Sequence, residues 1–164
     1  MNDHRLAVQK ALSLSYFFLK FRPRTEKEVR DYLQKKANKF KLSEDSIREA
    51  LQELRQEKYL DDDAFVRWFV DNRLRTKAVS AKVIKLELVK YGISRERIAT
   101  HFEDVEVDES ALAQKALAKK WPVYIYLEKE KRFQKASGFL ARKGFSFDII
   151  KKTIAQFEKD GYNS

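Results

Sequence analysis

The sequence predicts an all-α protein of about nine helices, arranged as three tandem three-helix repeats. Three observations carry that expectation. Ser43, Ser94 and Ser146 lie 51 and 52 residues apart and head the same apolar pattern. Four residues on stand Ile47, Ile98 and Ile150; eight on, Leu51, Phe102 and Ile154; eleven on, Leu54, Val105 and Phe157. Those offsets trace one face of a helix of period 3.6, so each serine reads as a helix cap. Before the serines, Leu33, Leu88 and Leu140 are each preceded at four residues by Val29, Ile84 and Ala136, which marks a second helix per repeat. Finally, four Gly and two Pro in 164 residues leave little material for sheet turns. The repeats fall at residues 1–60, 61–109 and 110–164. Tyr59 and Tyr162 both lie 16 residues after their serine, so the third repeat is expected to be complete near the end of the chain, as in a small array.

Composition bounds the classes available. With 43% apolar and 13% aromatic residues the chain can build a core, despite 37% charged residues. It has no cysteine, hence neither disulfides nor thiol chemistry, and the expected location is the cytoplasm. Ala11–Leu19 superficially resembles a secretory h-region, but Lys20, Phe21, Arg22 and Pro23 stand where a small-residue cleavage site belongs. No run approaches the roughly 20 apolar residues of a membrane span.

Taken in order, the first helix is expected from about Asp3 to Phe21, with Val8, Leu12, Tyr16 and Leu19 on its apolar stripe. Thr25-Glu26-Lys27-Glu28 is a capping box that opens a second helix carrying Val29, Tyr32 and Leu33. A loop through Asn38 and Lys41 then leads to the Ser43 helix. It includes four Lys-rich residues more than the later repeats have, and they are expected to be exposed.

Asp61, Asp62 and Asp63 could gather a magnesium ion. The stronger reading makes one of them the cap of a fourth helix and sets the others at its positive end. That helix runs to about Arg75 with Phe65, Trp68, Phe69 and Leu74 as apolar members. Trp68 is expected in the core rather than stacked on a base. Ser80 aligns with Thr25 and caps the fifth helix. Gly92 and Gly144 read as C-cap glycines, since no phosphate-loop spacing surrounds them. Glu103 to Glu109 is an acidic junction, either a linker or N-terminal charge for the helix that follows. Trp121-Pro122 ends one helix of the third repeat, and Val123–Leu127 is expected to start a long helix entered at Pro122.

The net charge is +10 and unevenly spread: residues 1–60 carry +5, residues 61–109 carry −2 and residues 110–164 carry +7. Two basic ends around a mildly acidic middle favour a polyanion or an acidic protein surface. Arg67, Arg73, Arg75 and Lys77 on the fourth helix, and Lys129, Lys131, Arg132, Lys135, Arg142 and Lys143 in the third repeat, are the candidate contact residues. The plainer alternative for each is a solvated helix face. Catalysis has no support: His4 and His101 have no partner at metal-ligand spacing, and neither a nucleophile elbow nor a nucleotide loop is present. Neither a cofactor nor a metal is expected.

Tyr59-Leu60-Asp61-Asp62, then Phe65 and Arg73, then Glu87-Leu88 and Lys90-Tyr91-Gly92-Ile93 resemble the signature of the RecX family of recombination regulators. Phe139-Leu140-Ala141-Arg142-Lys143-Gly144-Phe145 is similar to that family's C-terminal pattern, so the resemblance extends from about residue 5 to 160. It implies tandem three-helix units in an elongated, curved array without enzymatic activity. It also implies binding to the RecA recombinase filament on DNA, restraint of its ATP hydrolysis and strand exchange, and a place in homologous recombination, DNA repair and the SOS response. The matched residues are caps and core positions, so none is carried over as a contact. A monomer is expected, meeting single- or double-stranded DNA directly or through the filament and no membrane. Two readings from other classes stand beside it. One is a free-standing basic nucleic-acid module with steep salt dependence; the other is a helical adaptor whose charge serves solubility.

Overall fold

The computed structural model describes residues 2–161, and these form ten helices and no strand. The helices are α1 (Asn2–Leu19), α2 (Glu26–Phe40), α3 (Glu44–Gln56), α4 (Asp62–Thr76), α5 (Ala81–Lys90), α6 (Arg95–Glu103), α7 (Glu109–Ala118), α8 (Trp121–Tyr124), α9 (Lys129–Arg142) and α10 (Phe147–Asp160). The expected all-helical repeat fold is met. Ser43, Ser94 and Ser146 each accept the backbone amide three residues on, from Ser46, Arg97 and Ile149. Val29, Ile84 and Ala136 are fully buried, as are Leu33, Leu88 and Leu140, and Ile47, Ile98 and Ile150 are also in the interior.

The chain gathers into two compact units. One contains the residues up to Phe69 together with Leu88–His101; the other contains Val70–Glu87 together with the residues from Phe102 onward. Helices α4 and α5 therefore give residues to both. The first core is built from Ala7, Val8, Ala11, Val29, Leu33, Ile47, Leu51 and Leu54, sealed by Leu42 and Leu60. Phe65, Phe69 and Tyr91 add a ring cluster to that unit, with centroids 5.2–5.6 Å apart. The second core is built from Ala113, Ala116, Leu117, Trp121, Ala136, Leu140, Phe145, Ile150 and Ile154.

The second helix of each repeat ends in the same way. Lys41, Gly92 and Gly144 take left-handed backbone at φ 54, 86 and 89. The next amides, of Leu42, Ile93 and Phe145, reach back to the carbonyls of Ala37, Leu88 and Leu140 at 2.9, 3.1 and 3.3 Å. This satisfies carbonyls that the helix end would leave free, and the three apolar residues are buried beneath it. A Cβ on Gly92 would stand 2.7 Å from Lys27 Cβ, and one on Gly144 would stand 2.6 Å from Val83 Cγ2. Lys41 is exposed, so only the backbone cost of a left-handed lysine applies there.

A second recurrent feature ties α4 to α2 and α7 to α5. Asp61 caps α4 by accepting the Ala64 amide, and the next residue, Asp62, accepts the Glu26 amide at 3.1 Å. Asp108 caps α7 through the Ala111 amide, and the next residue, Glu109, accepts the Ala81 amide at 2.7 Å. In both cases a carboxylate on the first residue of one helix, α4 or α7, satisfies an orphan donor at the positive end of α2 or α5.

Several expectations are corrected. On α1 the expected Val8 is buried and Leu12 and Leu19 pack against the first core, beside the buried Ala7, Ala11 and Ser15, whereas Tyr16 lies at the edge with its hydroxyl donated to Glu57. Asn38 belongs to α2, not to a loop, because the four additional residues extend that helix and put Ala37 and Phe40 against the core. Val105 lies beyond α6, which stops at Glu103, where the acidic run opposes the negative end of the helix. The helix expected from Val123 is two helices. Trp121–Tyr124 is a short one, the chain turns through Ile125–Leu127, and Glu128 is extended at φ −52, ψ 142 before α9 begins. Tyr162 lies outside the described residues.

Candidate functional site

The candidate basic residues separate into three kinds. Arg67, Arg75, Lys77, Lys129, Lys131, Lys135 and Arg142 are exposed. On α9, Lys131 and Lys135 are one turn apart and Lys129 precedes them; no ion pair among the described residues involves these three. Lys131 and Lys135 share one side of the helix, while Lys129, two residues before Lys131, lies on another, and the exposed Glu128 and Glu130 are interleaved with them.

Two arginines are instead held by the fold. Arg73 Nε donates to Glu87 Oε2 at 2.7 Å. Arg132 clasps Glu158 through Nε and Nη2 at 2.7 and 2.8 Å, and its Nη1 donates to the carbonyls of Ile125 and Leu127 at 2.8 and 3.2 Å. Its guanidinium also lies over the Trp121 ring, 5.8 Å from the centroid. The planar fork of arginine can do all of this at once, and it anchors the turn between α8 and α9. Arg132 is thus a fold residue, leaving Lys129, Lys131 and Lys135 as the accessible part of that surface.

Lys143 is the third kind. It is half-buried, its Nζ lies 5.2 Å from the Phe139 centroid, and burial pushes its ammonium below the usual lysine range. The charges of Lys119, Lys77 and Lys120 push the same way. Lys119 and Lys120 immediately precede Trp121-Pro122, where the sequence signals a helix break rather than a charged surface.

The acidic triplet is occupied by the fold. Asp62 and Asp63 pair with Arg97 at 3.6 and 2.9 Å, beside the amide bonds described above. Burial raises the Asp62 carboxyl above its usual 3.8, and the Glu26 amide and Arg97 oppose that rise. Among the described residues no group of three or more His, Asp or Glu side chains is placed to hold a metal. His4 pairs with Glu49 at 2.7 Å on the surface. No described helix is long and apolar enough to cross a membrane.

These features define a class: an all-helical repeat protein that presents exposed basic side chains without ion pairs among the described residues. Comparison with known proteins narrows the class to a family. Residues 11–54 match the family model for the first three-helix domain of RecX, and residues 107–154 match that for the third. The Regulatory protein RecX of Oceanobacillus iheyensis is 33% identical over 157 residues, which is 95% of this chain and 56% of that protein. The Regulatory protein RecX of Geobacillus thermodenitrificans is 29% identical over 155 residues, 90% of this chain and 54% of that one. The crystal structure of RecX from Lactobacillus salivarius superposes with a TM-score of 0.77 at 24% identity, covering 96% of this chain and 99% of that one. A second crystal structure of a regulatory protein RecX gives 0.78 at 23% identity, covering 93% and 74%. The chain belongs to the RecX family. It spans about half the length of the curated relatives it matches.

Proposed function

We propose that this chain is a non-enzymatic regulator that binds the RecA–DNA filament and mainly inhibits its ATP hydrolysis and strand exchange. In this reading it acts in the cytoplasm as a monomer of three tandem three-helix repeats, residues 1–60, 61–109 and 110–164, whose two basic ends engage filament protein or its DNA while the less basic middle spans the groove. Family membership supplies the direction of the proposal. The observation that carries it is the exposure of Lys131 and Lys135, one turn apart on α9, with Lys129 at the start of that helix, none of the three in an ion pair among the described residues. Uncompensated lysines gain little for a monomer's stability, and they raise encounter rates with a polyanionic assembly.

The test is ATP hydrolysis by a RecA filament preformed on single-stranded DNA, with this protein titrated in. Its binding to the bare DNA is measured at the same salt. Inhibition far below the concentration that coats DNA supports a filament regulator. Inhibition only at coating concentrations would replace that reading with the free-standing nucleic-acid module, which the +7 charge of residues 110–164 favours.

A further inference from the structure

Four lysines stand at helix ends within the second unit. Lys77 follows the last turn of α4, Lys119 caps the end of α7, Lys120 precedes α8, and Lys143 caps the end of α9. Two contacts bring these ends together. The Ser80 amide donates to the Lys143 carbonyl at 3.0 Å, which sets the end of α9 beside the segment that follows Lys77. Lys115 Nζ donates to the Arg75 carbonyl at 3.2 Å, which ties α7 to the end of α4. Lys77, Lys119 and Lys120 are exposed and Lys143 is half-buried. No ion pair among the described residues involves any of the four.

A lysine at a helix C-terminus answers the free carbonyls there, so one at each end would need no further account. Convergence does. Burial disfavours the ammonium of Lys143, and the charges of Lys119, Lys77 and Lys120 add to that, so a bound anion would favour its charged form.

We propose that Lys77, Lys119, Lys120 and Lys143 form a binding site for phosphate groups, and that its ligand is a run of adjacent phosphates on a nucleic-acid strand. Ammonium groups on flexible stems are point charges that suit phosphate without fixed bidentate geometry. The central part of a protein–protein interface is depleted in lysine, which disfavours an acidic protein surface as the occupant. The site goes beyond the filament reading, since it can bind bare strand whether or not RecA is the partner.

The experiment uses the full chain and a fluorescent oligothymidylate, with anisotropy measured across a salt series. K77Q/K119Q/K120Q is compared with K151Q/K152Q/K159Q, which removes the same charge from exposed positions on α10. The cluster variant should bind about tenfold more weakly and lose about two from the slope of log K against log salt; the α10 variant should keep most of both. In the unsubstituted protein, NMR titration of the Lys143 side chain should show its pKa rising when the oligonucleotide saturates, a reading that needs no variant to fold. Equal losses in the two variants, or a Lys143 pKa that does not move, would overturn the site. Displacement of the oligonucleotide by tripolyphosphate or polyglutamate at lower concentration than by unlabelled strand would overturn the assignment of its ligand. None of these readouts contains RecA, so they stand or fall separately from the filament test.

Discussion

The Thr25 hydroxyl donates to the Tyr91 carbonyl at 2.7 Å, across 66 residues of sequence, while its oxygen accepts the Glu28 amide at 3.2 Å. Thr25 is fully buried, and the Glu28 carboxylate completes the box by accepting the Thr25 amide at 3.1 Å. Ser80, its counterpart in the next repeat, donates its amide to the carbonyl of Lys143, the counterpart of Tyr91. The cap that starts one repeat's second helix is therefore also the tie to the end of the next repeat's second helix.

Thr25→Val keeps the shape and removes both bonds. Loss of the cap alone costs about 1–2 kcal/mol, and the Tyr91 carbonyl loses its Thr25 donor as well. Thr25→Ser should restore most of the loss. Urea unfolding of the three proteins checks this, and a valine variant as stable as the parent would contradict the double role.

The glycines should differ in sign. Gly144→Ala places a methyl group against Ser80 Oγ and Val83 on backbone at φ 89, and should destabilise by roughly 2 kcal/mol or more. Gly92→Ala meets Lys27 on backbone at φ 86 and should also destabilise. Gly138→Ala lies within α9 with its nearest neighbour, Arg142 Nη1, at 3.4 Å, and should stabilise by about 0.5–1 kcal/mol. Lys41→Gly removes the strain of a left-handed lysine and should stabilise slightly, by a few tenths of a kcal/mol. Thermal melts order the four variants.

Asp62 gives a pH signature. Burial raises its carboxyl above the ordinary value of 3.8, so in that range the folded chain holds its proton more tightly than the unfolded chain does. Its contribution to stability is therefore full below the unfolded value and is lost as pH rises through the folded one. Asp62→Asn retains an oxygen for the Glu26 amide but cannot ionise. Stability of the variant relative to the parent should rise as pH climbs from about 4 toward neutrality, because burial outweighs the attraction to Arg97 in setting the raised carboxyl. A difference that is flat with pH would contradict the assignment.

The repeat was legible because its signal is local. Val29, Ile84 and Ala136, or Leu33, Leu88 and Leu140, occupy fixed helical offsets, and periodicity alone places them inside. The serine caps were legible for the same reason. Lys41 was not read as the equal of Gly92 and Gly144, because its conformation is forced by helix termination while its residue type does not advertise it. The joints from Asp62 to Glu26 and from Glu109 to Ala81 depend on which helix ends meet, which no window of sequence contains. The basic surface was legible only as charge. Arg132 looks like Lys131 in sequence, and only the position of Glu158, 26 residues away, separates a fold residue from a free cation.

That distinction yields the sharpest test of the α9 surface. Arg132→Ala removes a bidentate ion pair and the donor to the Ile125 and Leu127 carbonyls, and should cost about 1–3 kcal/mol of stability. Arg132→Lys should rescue little, because an ammonium cannot clasp Glu158 and reach both carbonyls together. Lys129→Glu, Lys131→Glu and Lys135→Glu combined should leave the melting temperature nearly unchanged, since exposed charges contribute little to folding. The same triple variant should need at least about tenfold more protein to inhibit ATP hydrolysis by a RecA filament, because reversed charges repel a polyanion at close range. Equal inhibition by a folded triple variant would remove α9 from the contact surface, and a large loss of stability in it would show that these lysines support the fold in a way their exposure does not suggest.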